Sequence, residues 1–378
     1  MRWVFAPDSF KGSLDAADVA NAMRQGIERA DPHAECALRP MADGGEGTLD
    51  ALHAAVGGQW LHYPVCNASG VEQPVACLLL PDGTAVVEVA RIIGLPDAGS
   101  TLVTQRSSRG VGQLLLALLA GGYRRIAVAL GGSSTNDGGA GCLVALGLQL
   151  HNAQGERLQG SLQDVLDFKT LSCDVLAGKM AQVELEVWSD VENPLAGERG
   201  ATAVFGPQKG VTVTDIARFD AGIAYFARQL DAGMEKSVCD LPGSGAAGGL
   251  GYALQLLGGR MVSGAQAVAS HIGLAKAVAE ADWVLTGEGR SDSQTLSGKA
   301  PACVAALARS AGVPVSLLSG AIIADDEGRL AAAFDGCYSL CNRPMALDVA
   351  MQEAARLIAG QAEQLARTIL AAHAIPKA

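Results

Sequence analysis

Leu130-Gly131-Gly132-Ser133-Ser134-Thr135-Asn136-Asp137-Gly138-Gly139-Ala140-Gly141 is the stretch whose reading decides the fold. It follows an apolar run at 126–129 that reads as a buried strand, and precedes residues 142–148, which read as a helix. A glycine-rich turn between strand and helix lets backbone N–H groups approach an anion closely, with the helix N-terminus behind them. Gly131, Gly132, Ser133, Ser134 and Asn136 are therefore candidate phosphate-binding residues, and Asp137 is a candidate metal ligand. The plainer reading of one such loop is a helix entry with capping residues. Similar loops recur along the chain, and the repetition favours a ligand.

Upstream, residues 2–6 read as a short strand, followed by the loop Pro7-Asp8-Ser9-Phe10-Lys11-Gly12. Ser13 reads as the cap of a helix whose apolar positions Ala16, Val19, Ala20, Met23 and Ile27 share one face. A second strand at 35–38 leads into Met41-Ala42-Asp43-Gly44-Gly45-Glu46-Gly47 and a helix at 48–56. Both loops fall at the carboxyl ends of strands, where open α/β sheets bind ligands. The rhythm then changes to closely spaced strand-like runs at 60–65, 71–80 and 85–89, the last two joined by the hairpin signal Pro81-Asp82-Gly83-Thr84.

Downstream of the opening loop, a strand at 183–188 runs into Ser189-Asp190-Val191-Glu192-Asn193-Pro194-Leu195. Further loops are Gly206-Pro207-Gln208-Lys209-Gly210 and the run at 241–251 that holds Gly243, Gly245 and Gly248. Helices are expected at 214–230, 251–257 and 264–279. The β–α alternation returns with a strand at 283–285 and the loop Thr286-Gly287-Glu288-Gly289-Arg290-Ser291-Asp292. A helix at 297–310, strands at 313–318 and 336–340, and a long closing helix at 347–372 follow. The expectation is an α/β protein of two domains. A doubly wound, flavodoxin-like parallel-sheet domain is built from residues 1–58 and 281–378, and a mixed α/β domain, 59–280, is inserted into it.

The composition sets limits on function. The chain has 378 residues, too many for one ordinary core, with 49% apolar and 18% charged residues, which suits two well-filled domains. A net charge of −11 argues against nucleic acid as a partner. Although the mean hydropathy is +0.24, the longest apolar run, 114–120, is too short to span a bilayer, so no membrane partner is expected. Residues 1–6 lack the features of a signal peptide. The nine cysteines contain no Cys-x-x-Cys, as expected of thiols in a reducing, cytoplasmic location. A homo-oligomer is left open, since no interface stripe is legible.

Phosphoryl transfer needs backbone donors, carboxylates for Mg²⁺, cations for developing charge and one base, and the loops supply all four. Asp8, Asp43, Glu46, Asp137, Asp190, Glu192, Glu288 and Asp292 sit in or beside them, with Lys11, Lys209, Arg290 and Lys299. Asp190, which ends a buried strand, is the first candidate base and Asp292 the second; Lys11 completes the catalytic set. Asp43, Glu46 and Asp137 are the candidate metal ligands. Asp8, Ser9, Arg290, Asn193 and Lys209 are candidate substrate contacts, and Gly243, Gly245, Gly248 and Lys299 join the nucleotide set. No Walker A motif is present, because Ala300 follows Gly298-Lys299 where Ser or Thr is required. Gly243, Gly245 and Gly248 fit G-x-G-x-x-G, but Asp240-Leu241-Pro242 makes a poor preceding strand, which weakens an NAD(P)-dependent oxidoreductase reading. No serine lies in G-x-S-x-G and no histidine lies in a glycine loop, so triad hydrolysis and a histidine–zinc site are poorly supported.

Taken together, the loops at 8–14, 42–48, 131–141, 189–195, 206–210, 242–251 and 286–301 resemble motifs of bacterial glycerate kinases, in order and over nearly the whole chain. The resemblance implies ATP- and Mg²⁺-dependent phosphorylation of D-glycerate, with 2-phosphoglycerate the expected product and 3-phosphoglycerate the alternative. It also implies a flavodoxin-like domain plus a second α/β domain, with the active site in the cleft between them. A kinase for another small hydroxy acid and a non-catalytic small-molecule binding protein are the remaining readings.

Overall fold

The computed structural model describes residues 1–296 and 298–374; Ser297, where the helix 297–310 was expected to begin, lies outside them. The chain divides into two compact units. One comprises Met1–Asp43, Asp50–Gly57 and the chain from Ser263 onward, and the other comprises Gly44–Leu49 and Gly58–Val262.

The first unit carries a five-stranded, wholly parallel sheet made of Arg2–Phe5, Glu35–Leu38, Trp283–Ser291, Val315–Ile322 and Gly336–Ser339. Numbered along the chain, the strands lie in the order 2-1-3-4-5, the flavodoxin-like order whose switch point falls beside the first strand. Trp3, Phe5, Val19, Met23, Ile27, Leu318 and Ile358 fill the core. Helix Ala16–Ala30 runs along helix Ala354–His373 so closely that a side chain on Gly26 would lie 2.1 Å from the Ala359 carbonyl oxygen.

Several boundaries differ from those read in the sequence. Asp15 caps the first helix, accepting from Asp18 N–H over 2.7 Å, while Ser13 donates its hydroxyl to the Met351 carbonyl over 2.7 Å. Residues 286–291, expected as a loop, continue the strand Trp283–Ser291 because Val315–Ile322 pairs alongside to its end. Glycine permits that pairing: a Cβ on Gly287 would meet the Leu318 carbonyl at 2.4 Å. The closing helix is broken at Glu353 into Leu347–Gln352 and Ala354–His373. The helix 264–279 is broken before Gly273, whose φ is +65°. Both halves of the latter pack on helix Ala300–Ala311, so the chain re-enters the first unit at Ser263, ahead of the boundary at 281.

The second unit is built on a mixed six-stranded sheet. The antiparallel hairpin Gln59–Cys66 and Glu72–Leu79 continues through Ala85–Glu88 into the parallel strands Arg125–Ala129, Glu184–Trp188 and Arg260–Val262. A separate core, with Leu115, Val128, Leu143, Phe226, Tyr252 and Leu254, closes it. No helix among the described residues is long and apolar enough to cross a membrane.

Candidate active site

The carboxyl edge of the parallel sheet carries a cavity of about 710 Å³ in the first unit. The loop after the first strand contributes Asp8, Ser9 and Lys11, the second strand's loop Asp43, and the third strand Glu288 and Arg290, with Lys299 at the start of helix Ala300–Ala311. Asp8, Ser9, Lys11, Asp43, Arg290 and Lys299, scattered over the sequence, are thus brought to one pocket. Lys11, Arg290 and Lys299 carry no hydrogen bond or ion pair to another described residue, so their charges are available to a ligand.

Asp8 is buried, and its carboxyl is pushed up to about 7 by that burial and by the nearby Asp43 carboxylate. Its neighbour's N–H (Ser9, 2.6 Å) and the Lys11 charge act in the opposite direction. Glu288, one of the loop acids but given no role from the sequence, is also buried and raised by burial. Its Oε1 accepts from Ser291 Oγ (2.9 Å) and Thr295 Oγ1 (2.5 Å), which anchor it as part of the wall. A carboxyl held near 7 by its surroundings is suited to take a proton at neutral pH. Asp292 does not line this cavity; its Oδ1 accepts from Gln294 N–H over 2.8 Å, capping the short turn Ser293–Leu296.

The remaining predicted residues belong to the second unit. The chain passes between units after Asp43, so that motif's two acids are divided, and Glu46 is exposed in the second. The loop at 130–141 spends most of its polar groups on itself and its neighbours. Gly131 N–H donates to Gly44 O (3.0 Å), Ser134 donates both N–H and Oγ to Ile93 O, and Asn136 Nδ2 donates to Thr202 Oγ1 (3.0 Å). Gly132 lies exposed in the same loop.

Asp137 is fully enclosed and its carboxylate accepts from Ser108 N–H and Oγ, Gly139 N–H and Gly141 N–H. Those donors make Asp137 the staple of the turn, where a metal ligand was expected. Lys209 is likewise enclosed, donating to Ser133 Oγ (3.0 Å) and Thr135 O (2.7 Å), so it braces the loop where a substrate contact was expected. Arg106, unmarked in the sequence reading, is buried and ties Thr101, Ser134 and Lys209 by their carbonyls.

The glycines of the G-x-G-x-x-G run serve close packing. A Cβ on Gly245 would lie 2.3 Å from Pro194 O, and one on Gly248 2.0 Å from Thr135 O. Gly243 has a left-handed φ of +82°. Among the described residues the element directly before the run is helix Ile216–Gly233 and not a strand, so a dinucleotide loop is not what the glycines make. Asn193 belongs to the same packing, its carbonyl accepting from Gly245 N–H and its Nδ2 donating to Arg199 O. Asp190, half-buried, follows the strand Glu184–Trp188. Glu88, missed in the sequence, is a buried acid ending an apolar strand; it accepts from Gly47 and Leu49 N–H and pairs with Arg91. A lone carboxylate closing the run Ala85–Glu88 was the available signal.

A flavodoxin-like sheet whose carboxyl edge opposes buried acids to unpaired cations, joined to a second glycine-looped α/β unit, defines a phosphotransferase acting on a small anionic substrate. Comparison with known proteins agrees. The chain belongs to the glycerate kinase family, whose model matches residues 3–370. It is 38% identical to a glycerate kinase of Halalkalibacterium halodurans, over 97% of this chain and 96% of the relative. It is 36% identical to the glycerate 2-kinase of Escherichia coli K12, over 98% of each. A crystal structure from Salmonella typhimurium LT2, of a protein provisionally named glycerate kinase 2, superposes with a TM-score of 0.87 at 35% identity, covering 99% of this chain and all of that one.

Proposed function

We propose that this enzyme transfers the γ-phosphoryl group of ATP to D-glycerate, giving 2-phosphoglycerate and ADP. The observation that carries the reading is the first unit's cavity, lined by Asp8, Asp43 and Glu288 together with Lys11, Arg290 and Lys299. The relative named glycerate 2-kinase supports the position of transfer.

The roles follow from the side chains. Lys11 and Arg290 pair with the glycerate carboxylate and orient the acid, Arg290 with its planar fork. Lys299 neutralises phosphate oxygens of the nucleotide. The glycerate hydroxyl oxygen bonds to the γ-phosphorus, its proton passes to the Asp8 carboxylate, and the bond to the β-phosphate oxygen breaks to release ADP. Hard oxygen donors, with Asp43 among the like charges that raise Asp8, suit a divalent cation. Mg²⁺ is commonly carried by one or two carboxylates plus phosphate oxygens. Asp43 is the residue that would hold it, and Mg²⁺ supplies charge neutralisation for the transferring phosphoryl group.

The test is incubation with ATP, Mg²⁺ and D-glycerate, with the product identified by phosphorus NMR. A 2-phosphoglycerate resonance is expected. A 3-phosphoglycerate resonance would correct the position, and no product with glycerate but turnover of another hydroxy acid would replace the substrate.

A further inference from the structure

The cavity of the first unit is much larger than its charged lining needs. Glycerate displaces roughly 100 Å³, a few waters at about 30 Å³ each, whereas the cavity measures about 710 Å³, in the range of pockets that enclose a nucleotide-sized molecule. The rest of its wall has a different chemistry. It includes Ile323, Leu340, Met345, Leu347, Ala350 and Met351. Every carbon of glycerate bears oxygen, so that acid has no face for such a wall.

The apolar wall is built to stay in place. Ser13 Oγ donates to the Met351 carbonyl, which ties the short helix Leu347–Gln352 to the loop of Lys11. Gly12 at φ +77° passes so near that its Cβ would lie 3.1 Å from Met351 Cε. Glu353 at the helix end is paired with Arg343 (3.1 Å) and Arg356. None of the six residues of this helix is buried, and Leu347 is 75% exposed. A large aliphatic side chain held open at the rim of a pocket gains its burial when a ligand covers it.

We infer that this apolar half seats the purine base of the nucleotide, with Met345, Leu347 and Met351 against the ring and the phosphates running toward Lys299. Flat aromatic faces suit methionine and leucine contacts, and the unpaired cations supply the complementary charge for the triphosphate. The inference rests on the proposed use of ATP and names the residues that select its base. They are specificity residues, remote from the transferring atoms.

The test uses two variants of the full chain, L347S, which removes an exposed side chain, and A350F, which fills the apolar half. Initial rates of ADP release are measured with ATP varied at saturating D-glycerate, and the reverse. KM for ATP is expected to rise about tenfold or more in both variants, through the loss of one large apolar contact in L347S and through occupied space in A350F. KM for D-glycerate and kcat at saturating ATP should stay within about twofold. Adenosine, which has no phosphate, should compete with ATP in the wild type and lose that competition in A350F. An unchanged KM for ATP in A350F, or a rise confined to D-glycerate, overturns the assignment. Should the wild type make no phosphoglycerate, the reaction reading fails by itself. Calorimetric titration of ATP then decides the base site: loss of binding in A350F upholds it and equal binding in both proteins refutes it.

Discussion

The Lys209 ammonium donates to the Thr135 carbonyl oxygen over 2.7 Å, so a lysine from one glycine turn braces another from inside the second unit. Burial pushes its pKa down to about 7 from the ordinary 10.5. Between those values the unfolded chain carries a proton that the folded chain lacks. Stability therefore rises with pH across that window and is flat, for this group, below about 7. The slope for one whole proton is about 1.4 kcal/mol per pH unit. Urea unfolding of the wild type and K209M between about pH 7 and 10 measures it. The wild type is expected to gain on the variant as pH rises, and a constant difference would mean that Lys209 stays protonated in the fold.

Gly248 and Thr135 meet with no space for a side chain. The φ of +69° at Gly248 adds strain to the 2.0 Å approach that a Cβ would make. G248A is expected to cost more than about 2 kcal/mol, because the neighbour to be displaced is backbone. The urea midpoint gives the answer, and a variant as stable as the wild type would show that the two loops can separate freely.

Asp137 separates a structural acid from a metal ligand. D137N places an amide N–H against donors that now point at a carboxylate, so a loss of about 2–4 kcal/mol in unfolding free energy is expected. The Mg²⁺ concentration for half-maximal rate should be unchanged in the folded fraction. A stable variant with a raised Mg²⁺ requirement would restore the ligand reading.

The sheet of the first unit was legible because its strands are short apolar runs followed by glycine-rich loops, and parallel pairing buries both faces. Periodicity does not reveal where such a strand ends when glycines allow pairing to continue, as in Trp283–Ser291. Nor does it mark a helix break such as that at Glu353, where no glycine or proline intervenes. Within the site, residue type and position after a strand marked Lys11, Asp8, Asp43, Arg290 and Lys299, and the fold brings these five to one cavity. The same criteria selected Asp137 and Lys209, which point inward. Loop membership says nothing about which way a charged side chain turns, and burial decides that only in three dimensions. Glu288 shows the converse: it was legible as an acid, but its anchoring by Ser291 and Thr295 depends on a strand that the sequence reads as a loop.

The choice of base can be decided by comparing Asp8 with Asp190. Asp190 has sequence position in its favour, at the end of a buried strand, while Asp8 is buried in the cavity with its carboxyl held near 7 beside the loop of Lys11. A group of that pKa is half-ionised at neutral pH and returns its proton readily, which is the balance that general-base catalysis favours. D8N keeps the shape and removes the proton acceptor, so kcat should fall by about 10²–10⁴ while KM for D-glycerate changes little. D190N should retain kcat within about tenfold. Rapid-quench measurement of the first turnover is the deciding readout, since it reports phosphoryl transfer apart from product release. If D190N abolishes the first turnover and D8N does not, the proton goes to Asp190, and Asp8 is left as an electrostatic partner of the bound acid.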